Sequence, residues 1–359
     1  MSDSALPDPK FWAGKRVLLT GHTGFTGSWT ALWLASMGAK VSGFALEPDT
    51  EPSLYRLAAV DRDVAPTIGD LRDARAVREA VEAARPELVI HLAAQAIVRR
   101  GIARPAETFA VNVQGTAHVL DALREISGVR AVLVVTSDKV YANDELGRPF
   151  KETDRLGGKD PYSASKAAAE LLTRSYGDSF FEPSGVAIAT ARAGNIIGGG
   201  DFAPDRLVPD LVRALRDDKR LELRHPEATR PWQHVLDCIC GYLLFVERLS
   251  ASHTVPHALN FGPDSAPVTV AQLADALFTA FGRHSAWSHT PDSTSIEMRA
   301  LAVDPSQARM QLRWRTRLMG ERCVRWTAGW YRASLAGEDM RAITLRQISD
   351  YMDGKAGPE

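Results

Sequence analysis

Tyr162 and Lys166 form a Y-x-x-x-K pair at the start of a predicted helix. A spacing of four residues places both side chains on the same helical face. A free tyrosine has a pKa of about 10, and a neighbouring ammonium group and a nicotinamide cation would both lower that pKa. The pair could therefore supply a base that takes a hydroxyl proton while a hydride leaves the same carbon.

Ser137 gives this common helical pair a more specific context. It lies 25 residues before Tyr162 (162 − 137), at the end of an apolar strand predicted over Ala131–Thr136. Open α/β sheets bind their ligands at the carboxyl ends of their strands. Asp138 and Lys139 follow directly, so the sequence predicts an acid and an amine beside the base.

The glycine-rich run Gly21–Gly27 joins a predicted strand at Arg16–Thr20 to a predicted helix at Ser28–Met37. Glycines in the spacing G-x-x-G-x-x-G allow a tight turn and a close approach of the backbone to a pyrophosphate. The N-terminus of the helix offers free N–H groups and the positive end of its dipole. This context predicts a dinucleotide site, and a tight turn without a ligand is the alternative.

The end of the second predicted strand, Val41–Ala45, favours NAD over NADP. A basic residue would pair with a 2′-phosphate, and the first one after this strand is Arg56. Ala45 stands where a carboxylate would bind the ribose hydroxyls, which leaves Glu47 as a substitute. The ribose contact therefore stays unassigned.

These motifs lie in a first half that alternates strand and helix signals. Apolar β-rich runs are predicted at Arg16–Thr20, Val41–Ala45, Leu88–Leu92, Ala131–Thr136 and Val186–Arg192. Helical periodicity is present at Ser28–Met37, Ala74–Ala84, Glu107–Ile126 and Tyr162–Phe181. Apolar strands separated by helices indicate a parallel sheet covered on both faces. The predicted fold class is therefore α/β, a doubly wound, Rossmann-like parallel sheet with a second, smaller, mainly helical substrate lobe.

The composition of the sequence changes after Arg192, where a glycine-rich stretch is followed by one with several prolines. We expect residues 1–192 to form the NAD-binding domain, with residues 234–262 returning to its sheet. Residues 193–233 and 263–345 are expected to form the substrate lobe.

Composition excludes several classes of function. The 359 residues include 43 basic and 44 acidic ones, so the basic excess that nucleic acid or an acidic membrane surface attracts is missing. Cys238 and Cys240 fall in an apolar helical run and are interpreted as core residues; no metal site is predicted. The polar stretch Met1–Lys10 has no apolar core like that of a signal peptide, and the longest apolar run is too short to span a bilayer. We therefore expect a cytoplasmic protein.

Several motifs together resemble the extended short-chain dehydrogenases over about Arg16 to Trp330: the glycine run, His91–Gln95, Asn112–Thr116, Ser137 and Y-x-x-x-K. More specific stretches resemble the CDP-glucose 4,6-dehydratases within that superfamily: Gly21–Phe25, Thr136–Tyr141, Ala191–Asp201 and Ala228–His234. Thr26 stands where that family usually has a lysine, and Asn143–Lys151 lacks its usual tryptophan-containing stretch. The sequence therefore leaves the nucleobase and the hexose open.

This resemblance implies an NAD-dependent dehydration of a nucleotide-activated hexose, with CDP-glucose favoured. In such enzymes sugar C4 is oxidised, water is lost across C5–C6, and the hydride returns to C6, so that NAD is regenerated. The resemblance also implies a homodimer formed through the helices Glu107–Ile126 and Tyr162–Phe181, although the sequence itself carries no oligomer signal.

The resemblance assigns catalytic roles to five residues. Tyr162, with Ser137 and Lys166, acts on the C4 hydroxyl, and Asp138 donates a proton to the departing C6 hydroxyl. Lys139 stands where related dTDP-glucose dehydratases have a glutamate base, and to act as a base its pKa would have to fall roughly three units from about 10.4. The equal alternative is that Lys139 stays charged and orients Asp138 or stabilises the developing enolate.

The binding residues follow from the same resemblance. The expected cofactor contacts are Gly21, His22, Thr23, Gly24, Phe25, Thr26, Gly27, Asp70, Leu71, Ala93, Ala94, Gln95, Asn112, Tyr162 and Lys166. A sugar-nucleotide pyrophosphate calls for arginine and amide donors, and Asn195, Arg206 and Arg230 are the candidates. For Arg206 an exposed solubilising arginine is an equal alternative, and for His22 a role in shaping the loop competes equally. His91, on an apolar strand, is interpreted as a core histidine.

Two other functions stay open. A nucleotide-sugar 4-epimerase or 4-dehydrogenase would use the same oxidation but would not need Asp138 to expel a hydroxyl. A non-catalytic dinucleotide sensor could dispense with Tyr162 and Lys166, and both are present.

Overall fold

Five strands of the first half, all except the one at Val64–Ile68, follow the predicted apolar runs, and their bounds agree to within one residue. The computed structural model describes residues 4–252, 254–264, 266–290 and 298–355. Its strands are β1 (Arg16–Thr20), β2 (Lys40–Ala45), β3 (Val64–Ile68), β4 (Leu88–His91), β5 (Ala131–Val135), β6 (Ala187–Ala193), β7 (Ile196–Ile197), β8 (Leu221–Leu223), β9 (Thr229–Arg230), β10 (Gln233–His234), β11 (Ala258–Phe261), β12 (Val268–Thr269) and β13 (Trp287–His289). Its helices are α1 (Pro9–Trp12), α2 (Phe25–Ser36), α3 (Leu54–Leu57), α4 (Ala74–Ala84), α5 (Val98–Ala103), α6 (Pro105–Phe109), α7 (Gly115–Arg124), α8 (Pro161–Tyr176), α9 (Leu207–Arg216), α10 (Val235–Ala251), α11 (Val270–Ala280), α12 (Ser306–Leu312), α13 (Gly320–Leu335) and α14 (Met340–Met352).

The main sheet is parallel and has the strand order β11-β6-β5-β4-β1-β2-β3. The direction of winding reverses between β1 and β4, which lie side by side. Doubly wound sheets bind ligands in the crevice beyond this switch point, at the carboxyl ends of the strands. The predicted Rossmann-like fold class is confirmed.

Successive strand residues alternate between two buried layers, as strands covered on both faces require. Leu18 and Val132 pack with α4 and α7 in one layer. Leu19 and Leu133 belong to the opposite layer, which contains α2 and α10. Gly38 follows α2 with a φ of 80°, the left-handed conformation that glycine commonly adopts after a helix.

The long predicted helices Glu107–Ile126 and Tyr162–Phe181 are each interrupted. The first consists of α6, a π-helical turn at Ala110–Gln114, and α7. The second is α8 followed by a π-helical turn at Gly177–Phe181. Hydrophobic periodicity does not reveal such turns, because they shift the helical register by less than one turn.

The chain beyond β6 forms short two-stranded pairs, namely β7 with β10, β9 with β12, and β8 with β13. Helix α10 returns to pack on β5 and β6, and β11 extends the sheet beside β6. Among the C-terminal helices, α14 packs on α2 and α13. Trp33 contacts Tyr351 edge to face with ring centroids 5.4 Å apart, so apolar burial draws this segment to the NAD-binding half.

Cys238, Cys240 and Cys323 are free and buried, and the first two lie in the core of α10 as predicted. In the part of the chain that the structure describes, a helix with the length and apolar character to traverse a bilayer is not found.

Candidate active site

A cavity of about 680 Å³ opens at the carboxyl ends of β1, β2, β4 and β5. All five predicted catalytic residues line it, together with the three predicted substrate contacts, Asn195, Arg206 and Arg230. Eleven of the predicted cofactor contacts outside the catalytic set also line it, namely Gly21, Thr23, Gly24, Phe25, Thr26, Gly27, Asp70, Leu71, Ala93, Ala94 and Gln95. Motifs spread over more than two hundred residues of sequence thus meet in one space.

The glycine run leads from β1 into α2 and shapes one end of the cavity. Gly21 has a φ of 80°, and a Cβ there would lie 2.8 Å from the backbone nitrogen of Ala93. A Cβ at Gly27 would overlap the carbonyl oxygen of Gly21. Each of these two positions therefore requires glycine for a steric reason.

Gly24 is the N-cap residue of α2, and no side chain in the described part of the chain caps this helix. The first N–H groups of a helix need partners, and its N-terminus favours negative charge. At Gly24 a Cβ would come no closer than 3.4 Å to the Gly21 carbonyl oxygen, so the loop backbone is open to the cavity. A dinucleotide pyrophosphate fits this cradle of backbone N–H groups.

Two of the predicted cofactor contacts lie behind the cavity wall. The buried His22 ring packs edge to face on Tyr55 at 5.6 Å, and burial lowers its pKa to about 4. Asn112 clamps the backbone of Gln95, accepting from its N–H at 2.8 Å and donating to its carbonyl oxygen at 3.0 Å. This placement favours the loop-shaping role for His22, while Asn112 positions a residue that does line the cavity.

His91 is the core histidine that its apolar strand indicated. Its ring nitrogens lie 2.7 Å from the Thr20 hydroxyl and 3.1 Å from the Thr116 hydroxyl. Burial lowers its pKa to about 3, with a smaller contribution from the charge of Lys166. A neutral ring with both nitrogens hydrogen-bonded therefore joins β1 and β4.

Tyr162 lies in the first turn of α8, which is initiated by Asp160 capping the Ser163 N–H at 2.9 Å. Burial raises the pKa of Tyr162 to about 12, and a hydrogen bond with Ser137 opposes that rise. Lys166 does not lower the pKa of Tyr162 in the way that the sequence predicted. Its ammonium group donates to the Val135 carbonyl oxygen at 3.1 Å instead, so the chain alone keeps the phenol protonated.

Lys166 is buried against the end of β5, and burial lowers its pKa to about 8, against the charge of Glu170. An ammonium group with a pKa near neutrality can pass protons to and from its neighbours. The neutral amine is therefore accessible close to physiological pH.

Asp138 lies in a short 3₁₀ turn, Asp138–Val140, directly after Ser137. Its carboxylate accepts from the Ser137 hydroxyl at 3.2 Å and from the Asn195 amide at 3.0 Å. Burial raises its pKa, while the charges of Lys139 and Arg230 push the pKa down. Because its pKa is raised, this buried carboxyl group is better suited to donate a proton than a carboxyl group in water.

Gly194 makes room for this carboxyl group. A Cβ at Gly194 would overlap the carboxylate oxygens of Asp138. Asn195 follows with a φ of 50°, which directs its amide to Asp138. The sequence indicated the glycine-rich segment here but not its contact with Asp138.

Two arginines of the cavity lining already have partners within the chain. Arg206 donates to Asp201 at 2.9 Å, and Arg230 contacts the carbonyl oxygen of Thr229 at 2.9 Å while its charge acts on Asp138. These arginines line the cavity and can contribute donors to an anionic ligand.

Asp205 bridges two arginines that the sequence did not single out. Its Oδ1 accepts from Arg99 and from Arg224, each at 3.1 Å. Arg224 lies six residues before Arg230, and that proximity to a recognised motif was the available signal. The pairing with Arg99 spans more than a hundred residues, and nothing local indicated it.

Comparison with known proteins decides the family. The sequence model of the NAD dependent epimerase/dehydratase family matches residues 17–262. The chain belongs to this family. Members of the NAD dependent epimerase/dehydratase family fall within the extended short-chain dehydrogenases that the motifs resemble.

Individual members of the NAD dependent epimerase/dehydratase family give a finer view. CDP-glucose 4,6-dehydratase of Salmonella typhimurium is 41% identical over 352 residues, covering 96% of this chain and 98% of that protein. dTDP-glucose 4,6-dehydratase of Mycolicibacterium smegmatis is 29% identical, covering 89% and 94%. The structure of Thermus thermophilus UDP-glucose 4-epimerase in complex with NAD has a TM-score of 0.78 at 25% identity, covering 89% of this chain and 99% of that one.

Proposed function

We propose that this chain catalyses the NAD-dependent dehydration of CDP-glucose to CDP-4-dehydro-6-deoxyglucose. The observation that carries this proposal is Asp138, a buried carboxyl group in the same cavity as Tyr162 and Lys166. Oxidation at C4 alone does not need such an acid, whereas loss of the C6 hydroxyl requires a proton donor. The 41% identity to a CDP-glucose 4,6-dehydratase over nearly the whole chain supports the nucleotide and the sugar.

The residues divide the reaction between them. Bound at the glycine end of the cavity, NAD would supply the acceptance and return of a hydride. Tyr162, as the phenolate that the positive charge of bound NAD would favour, takes the proton of the C4 hydroxyl, with Ser137 as its hydrogen-bond partner and Lys166 as a nearby proton reservoir. Asp138 protonates the C6 hydroxyl, so that the C6–O bond breaks and water departs.

Lys139 acts in one of two ways when the C5 proton is lost. It removes that proton as a base, or it stays charged and either orients Asp138 or stabilises the enolate that forms when the proton leaves. Lys139→Met tests the base role, because loss of a base should slow exchange at C5. In the variant, solvent deuterium incorporation at C5 that continues at the normal rate would exclude the base role and enolate stabilisation, and would leave only the orientation of Asp138.

The phosphates of the substrate bind at the charged end of the cavity. Arg206 and Arg230 contribute donors there, and Asn195 contributes an amide beside the sugar. Arg206 is paired with a buried carboxylate, Asp201, which holds its guanidinium in place. A fixed guanidinium loses less side-chain entropy when it binds a phosphate.

Incubation of the holoenzyme with CDP-glucose tests the proposal. A 4-keto-6-deoxy product, which absorbs in alkali, is expected from the wild type and not from Tyr162→Phe. CDP-galactose as product would show an epimerase, net accumulation of NADH a dehydrogenase, and binding without turnover a sensor. A thermal-shift series with CDP-, UDP-, dTDP- and GDP-glucose would identify the base, since a ligand stabilises according to the logarithm of its saturation.

We also propose that the protein is a cytoplasmic homodimer. Leu171 on α8 is 63% exposed and Phe109 at the end of α6 is 39% exposed, so these two helices present apolar side chains to solvent. A second copy packed on the same helices would cover them. Light scattering of the wild type and of Leu171→Asp would test this: a dimer that the variant converts to a monomer supports it, and a wild-type monomer refutes it.

A further inference from the structure

A buried ion pair lies directly behind the residues proposed to carry out dehydration. Arg192 on β6 donates to Glu170 on α8 at 2.7 Å, and their side chains are 5% and 4% exposed. Neither residue lines the cavity, and the proposed reaction assigns a role to neither. A charged pair that is removed from water carries a large desolvation cost, so we expect this pair to have a structural or functional role.

The pair contacts both ends of one short segment, residues 136–141, which we call the catalytic turn. At its start, the Thr136 hydroxyl donates to Glu170 Oε1. At its end, Arg192 Nη1 donates to the Tyr141 hydroxyl at 3.0 Å. Ser137, Asp138 and Lys139 therefore lie between two points that one ion pair holds.

The end of the turn at Tyr141 is fixed in two further ways. Its hydroxyl donates to Asn260 Oδ1 at 2.6 Å, which joins it to β11. Its ring stacks on Phe150 with centroids 4.9 Å apart and an interplanar angle of 6°. Tyr141 thus cannot move without disturbing Arg192, Asn260 and Phe150 together.

The same carboxylate also faces the residues that act at C4. Glu170 follows Lys166 by four residues on α8, so the two side chains share a helical face. Its charge raises the pKa of Lys166 against the larger, opposite effect of burial. Burial likewise pushes the pKa of Arg192 down, but Glu170 and Tyr141 outweigh that effect and raise it.

We propose that Glu170 and Arg192 are positioning residues that keep the catalytic turn in register with Tyr162 and Lys166. Oxidation at C4 and loss of water across C5–C6 then both occur while the same sugar stays bound. This inference rests on the proposed dehydratase function. A misplacement of catalytic groups by about 1 Å costs on the order of a hundred-fold in rate. A shift of the catalytic turn should therefore slow most the steps that its own residues carry out.

Two threonines provide a matched test. Thr136 and Thr190 each donate to one oxygen of Glu170, and each has a second, longer bond, at 3.3 Å to the Ala191 carbonyl oxygen and at 3.4 Å to that of His257. Only Thr136 belongs to the catalytic turn. Thr136→Val should slow dehydration by roughly ten-fold or more and C4 oxidation by less, because Asp138 and Lys139 of the turn act in dehydration while Ser137 only assists Tyr162. Thr190→Val should leave the ratio of the two rates unchanged.

Single-turnover measurements on the holoenzyme with CDP-glucose resolve the two rates. Reduced nicotinamide, followed by its absorbance, should accumulate transiently in Thr136→Val and not in Thr190→Val. Amide hydrogen exchange over residues 137–140 adds a readout independent of activity, and it should quicken in Thr136→Val alone. Tyr141→Phe, at the other end of the turn, should behave as Thr136→Val does and replaces it if that variant does not fold.

Equal rate ratios in wild type, Thr136→Val and Tyr141→Phe would overturn the inference and leave the dehydratase intact. So would a shift of the same size in Thr190→Val, because it would show a general effect of weakening Glu170. Absence of a dehydrated product from the wild type itself would refute the proposed function, and the positioning role with it.

Discussion

The proposed cofactor and substrate regions of the cavity, which we call its two ends, use different parts of the chain. At the cofactor end backbone groups dominate, through Gly21–Gly27 and the N-terminus of α2. At the substrate end charged side chains dominate, and carboxylates are paired with several of them, as in the pair Arg206–Asp201. The glycine loop of the first end is encoded in one short run of sequence, whereas the second end depends on contacts between distant segments.

This difference has a physical consequence for binding. Backbone N–H groups at a helix N-terminus are fixed by the fold, so an arriving phosphate replaces only water. An arginine paired with aspartate must share its donors or exchange partners when a phosphate arrives. Substitutions at the two ends should therefore separate cleanly into effects on the cofactor and effects on the substrate.

The largest expected effect follows from Asp138→Asn. Dehydration should fall by about 10²–10⁴-fold because the proton donor is lost, while NAD affinity should stay unchanged. Quenched-flow product analysis and a fluorescence titration with NAD measure the two. A variant that lost NAD binding as well would break the separation between the ends.

The same residue gives a pH dependence with a definite sign. Burial raises the folded-state pKa of Asp138 above its unfolded value, so its contribution to stability is present at low pH and is lost as pH rises through the folded pKa. The dehydration rate should fall over the same interval, because the protonated acid disappears. Thermal melts of wild type and Asp138→Asn against pH should differ there, and parallel melting curves would contradict the assignment.

Gly27→Ala should act at the cofactor end. The added Cβ overlaps the Gly21 carbonyl oxygen, so the loop must shift, and NAD affinity should fall about a hundred-fold together with a lower Tm. Gly24→Ala is the matched control, since its Cβ meets only an ordinary contact at 3.4 Å. It should weaken NAD binding at an unchanged Tm, and an equal loss of Tm in both would show that sterics within the loop do not decide the effect.

Arg206→Ala should raise the KM for the sugar nucleotide by roughly ten-fold, because a charged hydrogen bond to phosphate contributes about 1.5–3 kcal/mol. NAD affinity should not change. Arg216→Ala, on the same helix but paired with Asp217 away from the cavity, is the control and should leave KM as it is. Equal KM values for both variants would show that Arg206 is a solubilising residue and not a substrate contact.

The smallest effect is expected from Glu47→Gln. Glu47 lines the cavity after β2, but its side chain is 65% exposed and reaches Arg56 only at 3.9 Å. Exposed charges contribute little, so NAD affinity should change by about two-fold. A larger loss, measured by titration with NAD and NADP, would assign the ribose contact to this residue.

Much of the sheet could be predicted because its central strands are continuously apolar. Strand β3 was missed: its sequence is Val-Ala-Pro-Thr-Ile, and all but the first residue are exposed. A proline and an exposed surface are typical of an edge strand, and both remove the signal that apolar runs provide. The β7–β10 and β9–β12 pairs are two residues long, too short for any pattern.

The site was predictable where a motif is local and not where partners are far apart. The glycine run and the Tyr162–Lys166 pair are local, and the cavity contains both. The raised pKa of Tyr162 was not foreseen, because burial depends on the whole fold. The contacts of Asp205 with Arg99 and Arg224 join three segments, and their spacing in sequence carries no information about that meeting.

The absence of a side chain at Gly194 limits how this sequence can change. Because the carboxyl group of Asp138 fills the space of a Cβ there, any other residue at 194 must displace the acid, and a glutamate at 138 would need still more room. The two positions, 56 residues apart (194 − 138), therefore have to be redesigned as a pair. A protein engineer who wished to stop the reaction after C4 oxidation could begin at Gly194, without substituting any catalytic residue.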